Sequence, residues 1–299
     1  MAAVPIVDAH QHFWDLERNY LPWLRDEPPI SFRYGDYSAL RRTYLPADYL
    51  RDAAGQDVVK TVHVETEWDP RDPVSETKWL QEVIEISGFP HAIVAQARLD
   101  QEGVEEILTA HCRYPRVRGI RHKPRAAPSP DRVERRAAGS MEDPAWRRGY
   151  ALLERHGLSF DLQTPWWHLA EAARLAADFP GTQIILNHTG LPSDRTREGL
   201  AGWRGAMATL AGEPNVAVKI SGLGQPGQPW TVEANRQIVV ETIEMFGTGR
   251  CMFASNFPVD SLVADFGTIF RGFKEIVGDL SPADQKRLFH DNAVRYYRL

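Results

Sequence analysis

The sequence predicts an α/β fold of the (β/α)8 TIM-barrel class, with residues 1–299 forming one domain. Three observations carry this. Eight short apolar runs recur along the chain, several rich in β-branched residues, as buried parallel strands require. Helical patterns lie between most of them, and such alternation implies a parallel sheet with right-handed crossovers. Polar residues gather at the carboxyl ends of the runs, the face where barrels of this kind build their sites. An open doubly wound sheet is the runner-up. It would often carry Gly-x-Gly-x-x-Gly after its first strand, and neither that fingerprint nor a Walker lysine loop is present.

The first strand is read near Ile6–Phe13. A long connection follows over Trp14–Asp57, holding Trp14, Tyr20, Trp23, Phe32, Tyr34 and Tyr37. This insertion after strand one is expected to fold over the barrel mouth and shape a pocket. Strands follow near Val58–Trp68, His91–Leu99 and Val117–Lys123. The stretch Lys123–Met141, with Pro124, Pro128, Pro130 and Arg135-Arg136, reads as a surface loop. Asp143-Pro144 opens a helix with Trp146, Tyr150 and Leu153 on one side, and Gly157 follows it. The fifth strand lies near Leu158–Thr164, followed by an Ala- and Leu-rich helix over His168–Phe179 that stops at Pro180-Gly181. Strands near Thr182–Gly190 and Val216–Leu223 come next. Thr231 then caps a helix carrying Ile238, Ile243 and Phe246. The eighth strand lies near Cys251–Pro258, and Ser281-Pro282 starts the last helix, with Leu288 and Phe289 on its apolar side.

Composition bounds the function. The chain is 43% hydrophobic and 25% charged, ordinary for a globular protein. A net charge of −5 without charge blocks argues against a nucleic-acid partner and for a small-molecule substrate. Cys112 and Cys251 are far apart and form no Cys-x-x-Cys, which suits a reducing compartment. The first residues lack a signal-peptide pattern, and no apolar run approaches the ~18 residues of a membrane span. A cytoplasmic protein with no membrane partner is expected; a homo-oligomer is left open.

The strand ends supply the candidate chemistry. The first ends Asp8-Ala9-His10-Gln11-His12, and period two sends His10 and His12 to one side, into the mouth. Two imidazoles so placed share a metal ion or hydrogen-bond a substrate oxygen; the bland alternative is a packing pair. His188, in Asn187-His188-Thr189-Gly190, falls at matching depth on the sixth strand. Of the ten histidines most must be structural, and His111, His156 and His290 look like helix or connector residues. On the fourth strand Arg121 shares parity with Gly119, a small residue that leaves room for the guanidinium to reach inward and hold a carboxylate or carbonyl oxygen. A solvated strand-end arginine is the plain alternative, and the adjacent His122 is a further candidate. On the second strand Glu65 and Glu67 share a face with His63, and either acid is a candidate, with Glu65 preferred. Asp161 and Gln163 on the fifth strand and Lys219 and Ser221 on the seventh fit polar residues paired below the site. Asn256 ends the last strand, and Asp260 lies on the outgoing loop.

Val-Asp-Ala-His-Gln-His-Phe-Trp at 7–14, Gly-Ile-Arg-His at 119–122, Asn-His-Thr-Gly at 187–190, Lys-Ile-Ser-Gly at 219–222 and Ser-Asn-Phe-Pro at 255–258 occur in barrel order, followed by Phe-His-Asp-Asn-Ala at 289–293. Together they resemble the amidohydrolase-related family, in the branch of sugar-lactone and pyrone-dicarboxylate lactone hydrolases. The resemblance spans essentially the whole chain. It implies that His10, His12 and His188 are active-site histidines and that Arg121 binds substrate. It also implies hydrolysis of lactones, in some members without metal and elsewhere in the superfamily with a divalent ion, often zinc, that activates water.

Two departures stand out. The last-strand aspartate of the family pattern, its general base and at times metal ligand, is Asn256 here, which accepts no proton at neutral pH. The fifth strand ends in Gln163-Thr164 where many superfamily members have a histidine ligand. A two-metal site is thereby disfavoured; one zinc on His10, His12 and His188, or none, remains open. The expected reaction is water attack on a lactone carbonyl. His10, His12, Arg121, His188 and Asn256 would be the catalytic set, with Trp14, Glu65, His122, Gln163 and Asp260 contacting substrate. Without a metal, one of the histidines or Asp260 takes the proton. A non-oxidative decarboxylase of the same superfamily and a non-catalytic small-molecule-binding barrel are the alternatives.

Overall fold

The computed structural model describes residues 4–299, so the reading of the first three residues lies outside it. The eight apolar runs fold as β1 (Ile6–Gln11), β2 (Val58–Val64), β3 (Ala92–Gln96), β4 (Val117–Arg121), β5 (Ser159–Leu162), β6 (Ile184–Leu186), β7 (Val216–Ile220) and β8 (Cys251–Phe253). They form a single sheet in chain order, every neighbouring pair parallel. Helices α1 (Pro22–Arg25) and α2 (Pro46–Asp52) lie in the first connection. Helices α3 (Val74–Ser87), α4 (Val104–His111), α5 (Pro144–Arg155), α6 (Leu169–Asp178), α7 (Arg197–Ala211) and α8 (Val232–Phe246) each link one strand to the next. Helices α9 (Phe266–Ile276), α10 (Pro282–Lys286) and α11 (Asn292–Tyr297) follow β8. This is the expected (β/α)8 barrel.

Helix starts follow the capping chemistry in the sequence. Asp143, Thr231 and Ser281 accept from the N–H groups of Ala145, Ala234 and Asp284, satisfying donors the helix cannot. The helix begun at Ser281 runs on as expected: a π-turn over Arg287–Asp291 joins α10 to α11, and Leu288 and Phe289 are buried in the core.

The strands stop earlier than the apolar runs suggest. β2, β6 and β8 end at Val64, Leu186 and Phe253, because the chain beyond them leaves extended geometry. Glu67, His188, Thr189 and Asn256 take left-handed φ values of 56°, 54°, 51° and 56°, unusual for residues with side chains. These residues stand on the rim as turns.

The sheet closes at this rim. The ladder between β8 and β1 forms beyond the end of β8, where His12 N–H donates to Phe257 O at 2.8 Å and Asn256 N–H to His10 O at 2.8 Å. β1 also carries one residue more than β2 between Asp8↔Thr61 and Gln11↔His63. That bulge breaks the alternation: Val7 and Ala9 sit in the barrel interior with Val64, Val94, Ile185 and Met252, yet His10 also points inward, toward His188. α11 plugs the opposite end, where Tyr297 is fully buried and donates its OH to Asp161 Oδ1 at 2.9 Å.

The first connection is pinned by its aromatics. Trp14 and Tyr44 exchange backbone hydrogen bonds, Tyr49 OH donates to Asp8 Oδ2 at 2.7 Å, and Trp23 stacks on Phe32 at 5.7 Å. Among the described residues no helix is long and apolar enough to cross a membrane.

Candidate active site

His10, His12 and His188 converge at the rim. His10 Nε2 lies 3.2 Å from His12 Nε2, and the His10 and His188 ring centroids are 4.7 Å apart. Burial pushes all three imidazoles well below the ordinary histidine range. The next cause is the Lys219 ammonium for His10, the Arg121 guanidinium for His12 and the Arg33 guanidinium for His188. Neutral rings then have assignable protons. His12 Nδ1–H donates to Val64 O at 2.7 Å, leaving Nε2 as an acceptor for His10 Nε2–H. His10 Nδ1 is left buried without a partner. His188 Nδ1 pairs with Ser221 Oγ at 2.9 Å, and its other nitrogen has no hydrogen-bond partner among the described residues.

Arg121 is held from three sides. Its Nε donates to Glu65 Oε1 at 2.5 Å, Nη2 to Glu65 O at 2.5 Å and Nη1 to Gln163 Oε1 at 3.0 Å. Three of the five N–H donors are thus engaged, and one remains on each terminal nitrogen of a side chain lining the cavity. Gly119 does make room, but for β5: a Cβ there would lie 2.3 Å from Ser159 Oγ.

On the eighth-strand side, Asn256 Nδ2 donates to Asp260 Oδ1 at 2.6 Å. The same oxygen accepts from Tyr34 OH at 3.0 Å, and Arg33 Nη2 lies 3.5 Å away. Burial raises the Asp260 carboxyl against the opposing pull of Arg33. Beneath the histidines, Lys219 Nζ and Asp161 Oδ1 pair at 2.6 Å with both side chains fully buried. Asn187 donates to the same carboxylate at 3.0 Å.

Part of this cluster faces a cavity of about 240 Å³, compact beside the ~300–1,000 Å³ of drug-sized sites, while His10 lies beneath its lining. His12, Arg121, Gln163, His188 and Asn256 line it, with Trp14, Trp23 and Phe32 as an aromatic wall. Glu65 stands behind Arg121 and Asp260 behind Asn256, so both reach the cavity through a partner. His122 is not brought to the cluster: it points outward, and its Nδ1 accepts from Leu99 N–H at 3.0 Å and Trp146 Nε1–H at 3.1 Å. His63 also turns outward, to Glu76 at 3.2 Å, because Val62 and Val64 hold the inward positions of β2. Arg33, Thr66 and Lys123 line the cavity and were not among the sequence candidates. A lone cation between Phe32 and Tyr34 was the available signal for Arg33.

A catalytic zinc takes three protein ligands. The 3.2 Å between the two Nε2 atoms suits two ligands of one tetrahedral ion. Among the described residues, however, no group of three His, Cys, Asp or Glu side chains is arranged to hold a metal. Asn256 and Gln163 offer only neutral amides, and Gln163 Oε1 already accepts from Arg121 Nη1 while Asn256 Nδ2 donates to Asp260. The donor set is short of a metal centre.

A family model described as amidohydrolase matches residues 7–299. The chain belongs to the amidohydrolase family. Among this amidohydrolase's relatives is an uncharacterised protein of Sinorhizobium fredii, 46% identical over 299 residues and covering all of both chains. It is also similar to an L-fucono-1,5-lactonase of Burkholderia ambifaria, 27% identical over 98% of this chain and 95% of that one. Among solved structures, an amidohydrolase of Burkholderia multivorans with bound zinc superposes with a TM-score of 0.80 at 25% identity, covering 99% of each chain.

Proposed function

We propose that this amidohydrolase opens a lactone by water attack at the barrel rim, without a resident metal. The observation that carries the reading is the convergence of neutral imidazoles with two uncommitted Arg121 N–H donors around one cavity. The named lactonase relatives support the bond class.

His188 is the base. Its free nitrogen belongs to a ring lining the cavity, while Asp260 stands behind Asn256 with its Oδ1 already accepting from Asn256 and Tyr34. His188 takes a proton from water as the oxygen attacks the lactone carbonyl. The tetrahedral oxyanion accepts from the free N–H groups of Arg121, an interaction worth several kcal/mol where donors are pre-placed. Collapse breaks the ring C–O bond, and His188 returns the proton to the departing alkoxide, leaving a hydroxy acid. His10 and His12 hold the floor of the site, with their protons fixed by Val64 O.

The test is a panel of five- and six-membered sugar and dicarboxylic lactones, L-fucono-1,5-lactone included, assayed before and after dialysis against a chelator. Ring opening that survives chelation supports the reading. Opening of no lactone in the panel would sink it.

A further inference from the structure

Lactone opening at this rim, taken as proposed, leaves the substrate's second functional group undefined, and the charge of the cavity bears on it. Arg33, Arg121 and Lys123 line the cavity, against a single lining carboxylate, Glu67. Glu67 is paired with Lys123, and Glu65 pairs with Arg121 from behind the wall. The lining histidines are neutral. Arg33 has only Asp260, likewise behind the wall and 3.5 Å away, so it is the least tightly paired of the three lining cations.

Its placement is specific. The guanidinium carbon packs 4.5 Å from the Tyr34 ring centroid. Its Nη2 would lie 2.9 Å from a Cβ at Gly222, and His188 Nδ1 2.7 Å from that same Cβ, so Arg33 and His188 share the space that Gly222 leaves open. Its one acidic neighbour is Asp260 Oδ1 at 3.5 Å, an oxygen already accepting shorter bonds from Asn256 and Tyr34. Among the described residues the remaining N–H donors meet no acceptor, and 29% of the side chain is exposed. A planar fork held beside the base, with donors to spare, matches a carboxylate in bidentate geometry. A hydroxyl needs no full charge.

We infer that Arg33 binds a carboxylate on the substrate, so that the lactone opened here is an acidic one bearing a free carboxylate beside the ring. The aromatic wall of Trp14, Trp23 and Phe32 then takes the ring face. This departs from the neutral sugar lactone in the names of the lactonase relatives.

Two lactones of the same ring test it: D-glucaro-1,4-lactone carries a carboxylate where D-glucono-1,4-lactone carries a hydroxymethyl group. The wild-type kcat/KM should favour the glucaro-lactone by at least about tenfold. Arg33→Met should cut that preference by about tenfold or more, chiefly through KM, and Arg33→Lys should restore part of it. A wild-type preference for the glucono-lactone, or a ratio unmoved by Arg33→Met, would overturn the inference. Calorimetric binding of D-glucarate and of sorbitol separates this claim from the reaction itself. If neither lactone is opened but glucarate binds wild type about tenfold more tightly than Arg33→Met, the carboxylate site stands and lactone opening falls. Equal glucarate binding to both proteins removes the site.

Discussion

His188 combines a left-handed backbone, a depressed basicity and a free ring nitrogen, and each has a consequence that can be measured. Asparagine tolerates the same backbone region, so His188→Asn should fold normally while losing the proton acceptor. A fall in kcat of about 10²–10⁴ is expected, with an unchanged circular dichroism spectrum. Full turnover in that variant would remove His188 from the mechanism. The pH profile follows from the direction of the shift. Because burial lowers the pKa of His188, its neutral, proton-accepting form persists below pH 6.5. The acid limb of kcat/KM should therefore fall only below that point, and half-maximal activity at or above 6.5 would contradict a buried histidine base. Gln163 and Asn256 were legible as strand-end polar residues. That Asn256 stands between the cavity and Asp260 was not, since a contact over four residues depends on how the turn after β8 folds.

β5 and β7 meet inside the barrel through one ion pair. Lys219 and Asp161 are both fully buried, so removing one partner leaves the other charged in a dry environment. Lys219→Met should cost about 3–5 kcal/mol in urea denaturation, and adding Asp161→Leu should recover part of that loss. A single-variant cost under ~1 kcal/mol would show the pair to be dispensable. At the surface, Thr231 Oγ1 accepts from Ala234 N–H at 3.2 Å. Thr231→Ala should lower stability by about 1 kcal/mol, read as a shift in midpoint at constant m-value. These two elements were legible in the sequence for different reasons. A cap is a local rule, and strand parity alone brings Asp161 and Lys219 to the same interior. β1 was not fully legible: His10 and His12 do face one way, but the bulge that turns them inward after Ala9 depends on pairing with β2.

At the level of the whole barrel, metal content is a property of the assembled rim. A related amidohydrolase was solved with bound zinc, whereas among the described residues of this chain no three His, Cys, Asp or Glu side chains are grouped to hold a metal. Elemental analysis of the purified protein should find well under one equivalent of transition metal, and dialysis against a chelator should leave lactone opening intact. Stoichiometric zinc, or loss of activity restored by zinc, would reverse that expectation.

The sequence by itself determined the eight strands, their order and the rim residues that carry the motifs. Apolar periodicity and caps are written in neighbouring residues, and a parallel sheet in chain order follows from strand–helix alternation. The tertiary structure decided which of the rim residues face each other. His122 and Arg121 are adjacent in sequence, yet one turns to Trp146 and the other into the cavity. Arg33, in a connection without regular pattern, arrives beside His188 only because its aromatic neighbours pack over the mouth. Side-chain direction past a strand end is set by long-range contacts, and no local rule encodes it.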